Sequence, residues 1–226
     1  KVVVCEDRAA GVRRLLAERQ IDLILLDDAF QHRRMGRDLD LVMIDAKRLP
    51  TQDAVIPQGR LREPLLGLER ADFLIVNRVD DAEQIPLIKE ALARFQKPIA
   101  FCRPRMQGVQ AFGEAAIQDL SWLQGKKVVA FSGIGNHPYF VERLAAAGAQ
   151  VVAERRYRDH YRYREHDVKQ LAALRSDEAI LLTTEKDYCR LQTMVDGAPW
   201  YYVPIELDWW EGEERIWDSF CKIPSP

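Results

Sequence analysis

The stretch Ile21-Asp22-Leu23-Ile24-Leu25-Leu26-Asp27-Asp28-Ala29-Phe30-Gln31-His32 sets a short apolar run directly before two carboxylates. Buried strands of parallel sheets are near-continuous apolar runs, and ligands bind beyond the carboxyl ends of such strands. Residues 23–26 are therefore predicted to form a core strand that carries Asp27 and Asp28 to a ligand-binding edge. The alternative is that the two carboxylates only cap a helix or pair with the arginines that follow them.

The Asp27-Asp28 pair lies where a P-loop enzyme holds magnesium. One carboxylate can coordinate Mg²⁺ while the other orients it, because Mg²⁺ takes one or two carboxylates together with phosphate oxygens and waters. The Gln31-His32 that follows favours this role, since His32 can contact a phosphate or position a substrate. No phosphate-binding G-x-x-x-x-G-K-[ST] segment occurs in the sequence. The sequence therefore contains half of a nucleotide site.

The composition of the 226 residues is that of a globular protein, with 47% hydrophobic and 30% charged residues. The length fits one large domain or two small ones. A net charge of −2 gives no electrostatic argument for nucleic-acid binding, so we expect no nucleic-acid partner. The four cysteines are scattered without a C-x-x-C pair, which predicts neither a zinc knuckle nor a redox motif and suits a reducing compartment.

The chain begins with Lys1 and the apolar residues 2–5, without an initiator Met. Residues 2–5 have the composition of a buried strand, whereas the ends of domains are usually exposed and loosely ordered. We therefore interpret the sequence as truncated at its N-terminus. No apolar run in the sequence approaches the ~20 residues that a membrane-spanning helix needs.

Strands and helices alternate along the sequence, which predicts an α/β fold: a mostly parallel P-loop-type sheet flanked by helices, with a second, smaller α/β domain. We place residues 1–110 in the P-loop-type domain and residues 120–226 in the smaller domain, with the boundary within residues 104–123. The predicted strands are residues 2–5, 23–26, 40–45, 73–76, 99–102, 127–131, 150–154, 180–183 and 200–204, and the predicted helices are residues 9–19, 85–95, 138–147 and 167–174.

The loop of residues 57–65 (Pro-Gln-Gly-Arg-Leu-Arg-Glu-Pro-Leu) is bracketed by prolines, and Gly59 permits a close approach of the backbone. Arg60, Arg62 and Glu63 suit a phosphate clamp beside a metal or hydroxyl contact. A surface loop whose charges neutralise one another is the alternative.

Three segments of the second half carry further candidates. Ser132-Gly133-Ile134-Gly135-Asn136 follows a strand and precedes a helix, so its amides can hold an anion, although a tight turn explains it equally well. In the pair Asp159-His160 the carboxylate can fix the tautomer of the imidazole, whereas many histidines are structural. In Thr184-Glu185-Lys186-Asp187, Lys186 can reach a phosphate and Asp187 can cap a helix.

Taken together, these segments resemble the tetraacyldisaccharide 4′-kinases, the lipid A 4′-kinases of Gram-negative bacteria. The resemblance runs through almost the whole chain, and the ordered set of motifs is specific although each motif alone can arise by chance. The motifs are residues 5–8 (Cys-Glu-Asp-Arg), 26–34 (Leu-Asp-Asp-Ala-Phe-Gln-His-Arg-Arg), 37–40 (Arg-Asp-Leu-Asp), 57–65, 130–136 (Ala-Phe-Ser-Gly-Ile-Gly-Asn), 159–161 (Asp-His-Tyr) and 184–187 (Thr-Glu-Lys-Asp).

The resemblance implies transfer of the γ-phosphate of ATP to the 4′-hydroxyl of tetraacyldisaccharide 1-phosphate, a lipid A precursor, with ATP and Mg²⁺ as cofactors. Because the acceptor is a lipid, it also implies a peripheral enzyme at the membrane surface, on the cytoplasmic face of the bacterial inner membrane. By position, the resemblance also implies roles for individual residues. The implied catalytic residues are His160, Asp28, Glu63 and Arg62, and the implied metal ligands are Asp28 and Glu63. The implied substrate-binding residues are His32, Gln31 and Arg60, and the implied cofactor-binding residues are Asp27 and Lys186.

The sequence departs from the family in three places. The family's P-loop, its catalytic aspartate in a Gly-Asp-Glu segment, with which His160 would pair, and its N-terminal membrane-associated helix would all precede Lys1. None of them is present. Phosphoryl transfer depends on positioning and charge stabilisation, so we expect little or no kinase activity from this chain alone and activity from the full-length protein.

Two other functions are compatible with the sequence. A P-loop phosphotransferase with another acceptor explains Asp27-Asp28 but gives no role to Arg62-Glu63 or Asp159-His160. A non-catalytic module that binds a lipid or a partner is suggested by the absent phosphate cradle and by the aromatic residues 200–202 and 209–210, which otherwise serve packing.

Overall fold

The computed structural model describes residues 2–18, 20–175, 178–195 and 199–223. The chain divides into two compact units. The first unit runs through Arg103 and resumes at Asp208, and the second is Pro104–Leu207. Along the chain, the second unit is thus an insertion in the first.

Strands and helices alternate through most of the chain. The strands are β1 (Leu41–Asp45), β2 (Phe73–Asn77), β3 (Ile99–Met106), β4 (Val109–Ala111), β5 (Ile117–Gln118), β6 (Lys127–Ser132), β7 (Gln150–Arg156), β8 (Ile180–Thr184), β9 (Trp200–Val203) and β10 (Ile205–Glu211). The helices are α1 (Arg8–Glu18), α2 (Gln84–Leu92), α3 (His137–Ala146), α4 (Glu165–Leu174), α5 (Glu185–Leu191) and α6 (Glu213–Cys221). Short 3₁₀ segments occur at Pro50–Gln52, Leu65–Arg70, Ala93–Phe95 and Leu120–Leu123.

A four-stranded sheet in the order β1-β2-β3-β10 forms the centre of the first unit, with β1 to β3 in parallel. Its central strand β2 is buried on both faces, as expected for a parallel strand covered on each side. On one face Leu74 and Val76 cluster with Ile88 of α2. On the other face Phe73 and Ile75 cluster with Ile216 of α6. The apolar runs at residues 73–76 and 99–102 therefore predicted their strands correctly.

Two predicted core strands do not form. Residues 2–5 and 23–26 are irregular, and Val4 and Leu25 are 93% and 76% exposed. A strand needs a neighbour that satisfies its backbone N–H and C=O groups. Among the described residues no strand pairs with either segment. The prediction was wrong because an apolar run indicates a suitable strand but does not supply its partner.

The second unit contains a six-stranded sheet in the order β5-β4-β9-β8-β6-β7. The strands from β9 to β7 pair in parallel, and β4 pairs antiparallel with β5 and β9. Buried residues cover both faces of the sheet, with Phe131 and Leu181 in one cluster and Ala130 and Leu182 in another. The predicted α/β class with mostly parallel sheets and flanking helices is confirmed.

The end of the chain returns to the first unit, which differs from the predicted division into residues 1–110 and 120–226. From Asp208 onward the chain groups with the first unit. Trp209 and Phe220 pack against the cluster that contains Phe73 and Ala100. The return depends on β10 lying beside β3, a long-range pairing that no local pattern in the sequence indicates.

Aromatic residues in the segments 200–202 and 209–210 take part in packing. Trp200 and Tyr202 are buried beside Phe112. Trp210 donates its indole N–H to the Val79 carbonyl at 2.9 Å.

In the part of the chain that the structure describes, no helix combines the length and the apolar character needed to cross a bilayer.

Candidate functional site

In the first unit an exposed ion pair joins the two motifs that carry most of the predicted site residues. Arg62 donates from Nη1 to both carboxylate oxygens of Asp28, at 2.7 and 2.8 Å. The two side chains are 57% and 63% exposed. The hydrogen bond and the negative charge of Asp28 raise the pKa of Arg62 above its ordinary value. An ion pair this exposed contributes little free energy, because solvent competes with it, so either side chain can exchange its partner for a ligand.

The backbone turns sharply at Asp28, which has a φ of 50° in the left-handed region. Aspartate tolerates this conformation better than most residues, because its short side chain hydrogen-bonds locally. The turn lies on a groove of about 1120 Å³ whose lining includes Asp27, Asp28, Gln31 and Arg62. The structure thus brings these four predicted site residues to one surface, with Asp27 exposed.

Glu63 is held by a second arginine, which the sequence analysis did not identify. Arg70 Nη2 donates to both carboxylate oxygens at 2.8 Å, and Gln31 Nε2 donates to Oε1 at 3.2 Å. Partial burial acts to raise the pKa of Glu63, but the hydrogen bonds from Arg70 and Gln31 and the charges of Arg70 and Arg33 outweigh it and lower the pKa. Glu63 is therefore ionised and engaged at neutral pH.

The cluster around Glu63 is closely packed. A Cβ on Gly67, in the 3₁₀ segment Leu65–Arg70, would lie 2.7 Å from Glu63 Cδ, so a larger residue there would force this carboxylate to move. The Arg70 guanidinium lies 4.6 Å from the centre of the Phe30 ring, a cation–π contact. Arg62 and Glu63 are thus paired with charged residues outside the 57–65 loop and not with each other.

The remaining candidates of the first unit lie nearby. A cavity of about 280 Å³ is lined by residues that include Gln31, Arg60, Arg62 and Glu63. The Arg60 backbone N–H donates to Asp53 at 3.2 Å, while its side chain is exposed. His32 is half-buried, and its backbone carbonyl accepts from Arg37 Nη1 at 2.9 Å. The close backbone approach predicted at Gly59 is present, since a Cβ there would lie 2.1 Å from the Ala54 carbonyl oxygen.

The carboxylates fit Mg²⁺ unequally. Asp28 is exposed on the groove, and Arg62 is the partner with which a cation there would compete among the described residues. Both oxygens of Glu63 are bonded to Arg70 within a partly buried cluster. In the described residues no group of three or more His, Cys, Asp or Glu side chains is arranged to hold a metal ion.

In the second unit, Lys186 and His160 meet at one carboxylate. Asp159 Oδ1 accepts from Lys186 Nζ at 3.2 Å and from the backbone N–H of His160 at 2.9 Å. The hydrogen bond from Lys186 is the main reason that the pKa of Asp159 lies below its ordinary range. His160 is 75% exposed, with Nε2 3.9 Å from Asp159 Oδ2 and a φ of 59°.

A fully buried carboxylate, Asp187, lies behind this pair. Asp187 Oδ2 accepts from the backbone N–H of Gly133 at 2.9 Å and from the Thr184 hydroxyl at 2.8 Å. Its Oδ1 accepts from Arg190 Nη1 at 3.1 Å. Arg190 Nη2 in turn lies 3.3 Å from His160 Nδ1. The network joins the glycine turn after β6, the start of α5 and the predicted catalytic histidine.

The structure corrects two interpretations of this region that were based on the sequence. Thr184, and not Asp187, is the N-cap of α5, because its hydroxyl accepts from the Asp187 N–H. In the 132–136 segment, the Gly133 amide is already occupied by the Asp187 carboxylate, and Asn136 caps α3. This segment is therefore a structural turn whose anion belongs to the protein itself.

Arg70 and Arg190 are the candidates that sequence analysis missed. Each lies outside the motif that it supports: Arg70 ends the 3₁₀ segment after the 57–65 loop, and Arg190 is one helical turn after Asp187. The spacing of Asp187 and Arg190, i and i+3 on a helix, is the signal that was available.

The described residues define an α/β protein with a carboxylate–arginine site on a groove. The model of the tetraacyldisaccharide-1-P 4′-kinase family, LpxK, matches residues 1–222. The chain belongs to this family.

Relatives and a solved structure agree with this assignment. A tetraacyldisaccharide 4′-kinase of Chlorobaculum parvum is 36% identical over 226 residues, with 95% of this chain and 62% of the relative covered. One of Chlorobium phaeovibrioides is 33% identical over 225 residues, with 95% and 64% covered. A crystal structure described as the "apo" form of LpxK from Aquifex aeolicus in complex with ATP matches with a TM-score of 0.71 and 25% identity, over 96% of this chain and 62% of that one. The chain thus spans less than two thirds of the length of these proteins.

Proposed function

We propose that this chain is part of an enzyme that transfers the γ-phosphate of ATP to the 4′-hydroxyl of tetraacyldisaccharide 1-phosphate in lipid A biosynthesis. The observation that carries the proposal is the Asp28–Arg62 pair on its groove, in a chain that matches the kinase family over residues 1–222. A carboxylate that suits Mg²⁺ beside an arginine that suits phosphate is the combination that phosphoryl transfer requires.

The residue roles follow from the contacts of the first unit. Asp28 would hold Mg²⁺, whose charge neutralises the transferring phosphate when it is bound, and Asp27 would assist on the nucleotide side. Arg62, released from Asp28, would stabilise phosphate charge. Glu63 is bonded to Arg70 and Gln31, so its main contribution is to position the loop that presents Arg62. His32, Gln31 and Arg60 would contact the acceptor.

The second unit contributes His160 and Lys186 in this proposal. His160 would pair with a catalytic carboxylate of the whole protein, and Lys186, bonded to Asp159, would contact the nucleotide. The acceptor is a lipid, so the enzyme would act peripherally on the cytoplasmic face of the bacterial inner membrane. Because this sequence has no G-x-x-x-x-G-K-[ST] segment, we expect little turnover from the chain by itself.

The test is phosphorylation of tetraacyldisaccharide 1-phosphate by the whole protein that contains this chain, followed with radiolabelled ATP. Asp28→Asn should lower turnover by at least about a hundredfold, the scale of one lost charge-stabilising contact in a transition state. Asp218→Asn, which changes an exposed carboxylate on α6 of the same unit, is the matched control. Normal turnover of Asp28→Asn would refute the role of Asp28, and no phosphorylation by the unaltered protein would refute the activity.

The binding-module alternative keeps one of its two supports. The sequence still lacks a phosphate cradle, but the aromatic residues that suggested a binding surface take part in packing, with Trp200 and Tyr202 in the core of the second unit. Acceptor binding without nucleotide, combined with no ATP affinity of the whole protein, is the result that would restore this alternative.

A further inference from the structure

The contact between Arg190 and His160 fixes the roles of the imidazole nitrogens. Arg190 Nη2 lies 3.3 Å from His160 Nδ1. A guanidinium only donates hydrogen bonds, so Nδ1 must be the acceptor. A neutral imidazole that accepts at Nδ1 carries its proton at Nε2.

The guanidinium that makes this contact is itself fixed by a buried charge. Arg190 Nη1 donates to Oδ1 of Asp187, whose side chain is fully buried, and also lies 3.4 Å from the Gly133 carbonyl oxygen. The Asp187 carboxylate also accepts from the Gly133 N–H and the Thr184 hydroxyl. The buried Asp187 carboxylate therefore holds the Arg190 guanidinium in one orientation, because in any other orientation the buried negative charge would lose its cation.

The backbone of His160 is constrained from the other side. Its N–H donates to Asp159 Oδ1, and Asp159 is in turn bonded to Lys186. With Nδ1 facing Arg190, the other ring nitrogen lies 3.9 Å from Asp159 Oδ2. That distance is too long for a hydrogen bond, so the contact from Arg190 is what orients the imidazole of this otherwise exposed histidine.

We propose that Arg190 is a positioning residue that holds the ring of His160 in place and in its Nε2–H tautomer. His160 then presents an N–H donor, which orients and stabilises a carboxylate, and it does not present a lone pair that would act as a base. The part of this inference that concerns catalysis rests on the function proposed above. The contact and the tautomer are properties of the chain and stand independently of that function.

The experiment compares Arg190→Lys with the unaltered chain by NMR of ¹⁵N-labelled histidine side chains, above the pH at which the imidazole protonates. Lysine keeps a cation for Asp187 but lacks the second nitrogen that reaches His160. Arg162→Lys makes the same exchange at an exposed arginine two residues from His160 and is the matched control. The His160 signals are assigned by their loss in His160→Gln, and melting temperatures verify that each variant is folded.

In the unaltered chain and in Arg162→Lys, we expect His160 to carry its proton at Nε2 with an ordered ring. In Arg190→Lys the Nδ1–H population should rise about fivefold, the shift that a partly exposed, charge-assisted hydrogen bond supports. An Nδ1–H tautomer in the unaltered chain would overturn the proposal, even if Arg190→Lys failed to fold. An unchanged tautomer ratio and ring order in a folded Arg190→Lys would also overturn it.

Kinetics of the whole protein separate positioning from mere structural support. Arg190→Lys should lower kcat about tenfold through misorientation of the ring, while the KM for ATP stays unchanged. Altered NMR signals with an unaltered kcat would refute the positioning role, whereas an inactive unaltered protein would refute the proposed function and leave the tautomer result intact.

Discussion

Asp28 in the first unit and Asp187 in the second are both carboxylates paired with an arginine, yet their surroundings are opposite. Asp28 is 63% exposed and both of its oxygens accept from one arginine. Asp187 is fully buried and accepts from a backbone amide, a hydroxyl and a guanidinium. The first pair costs little to open and is available to a ligand. The second maintains the fold around a histidine, and its loss would leave buried donors unpaired.

The largest effect on stability is expected from Asp187→Asn. The amide keeps the shape of the side chain but removes the charge that faces Arg190, and breaking one side of a buried pair costs about 3 kcal/mol or more. Urea unfolding, followed by far-ultraviolet circular dichroism, measures the change. A loss as small as that of an exposed pair would show that the two carboxylates do not differ in the way described.

The next effect is expected from Gly67→Ala in the first unit. The new Cβ would lie 2.7 Å from Glu63 Cδ, so the carboxylate must move and weaken its contacts with Arg70. We expect a loss of about 1 kcal/mol, the scale of one hydrogen bond. Gly36→Ala, where a Cβ would meet no atom within 4 Å, is the control and should leave the urea midpoint unchanged.

A smaller effect should appear in the pH dependence. The pKa of Glu63 is lowered in the folded state, from an ordinary value of 4.5. Its stabilising contribution is therefore fully present above that value and is lost as the pH falls through the folded pKa. Glu63→Gln should flatten the decrease of the urea midpoint between neutral and acidic pH. Parallel curves for the two proteins would contradict the assignment of this carboxylate as a stabilising group.

The smallest effect on stability is expected from Asp28→Asn. Exposed ion pairs contribute little, so the urea midpoint should match that of the unaltered chain. The same variant is expected to lose turnover in the whole protein. A marked loss of stability instead would place Asp28 with Asp187, as a structural carboxylate.

The sequence predicted those parts of the fold in which burial and local pattern agree. Strands β2, β6 and β8 have apolar runs that are buried on both faces, and α3 ends before Gly148, whose φ is 89°. Residues 2–5 and 23–26 have equally apolar runs but no partner strand among the described residues. Pairing is a property of two segments, and one segment's composition does not contain it.

The candidate site shows the same limit. Arg62 and Asp28 were both identified from their motifs, but their contact joins residues 34 positions apart. Arg70 and Arg190 belong to no recognisable motif, and only the folded chain shows that they hold Glu63 and His160. Residue type indicates what a side chain can do, whereas the partner that decides its role comes from the fold.

The chain leaves the first unit along β3 and returns to it along β10, and this arrangement affects the entropy of loop closure. Arg103 and Asp208, at the two ends of the insertion, are joined by an ion pair at 2.9 Å, and Arg105 and Glu206 pair just beyond them. If the inserted unit unfolded, the first unit would have to close a loop of roughly a hundred residues, a cost that grows only with the logarithm of loop length. The first unit should therefore tolerate unfolding, shortening or exchange of Pro104–Leu207 with a modest penalty.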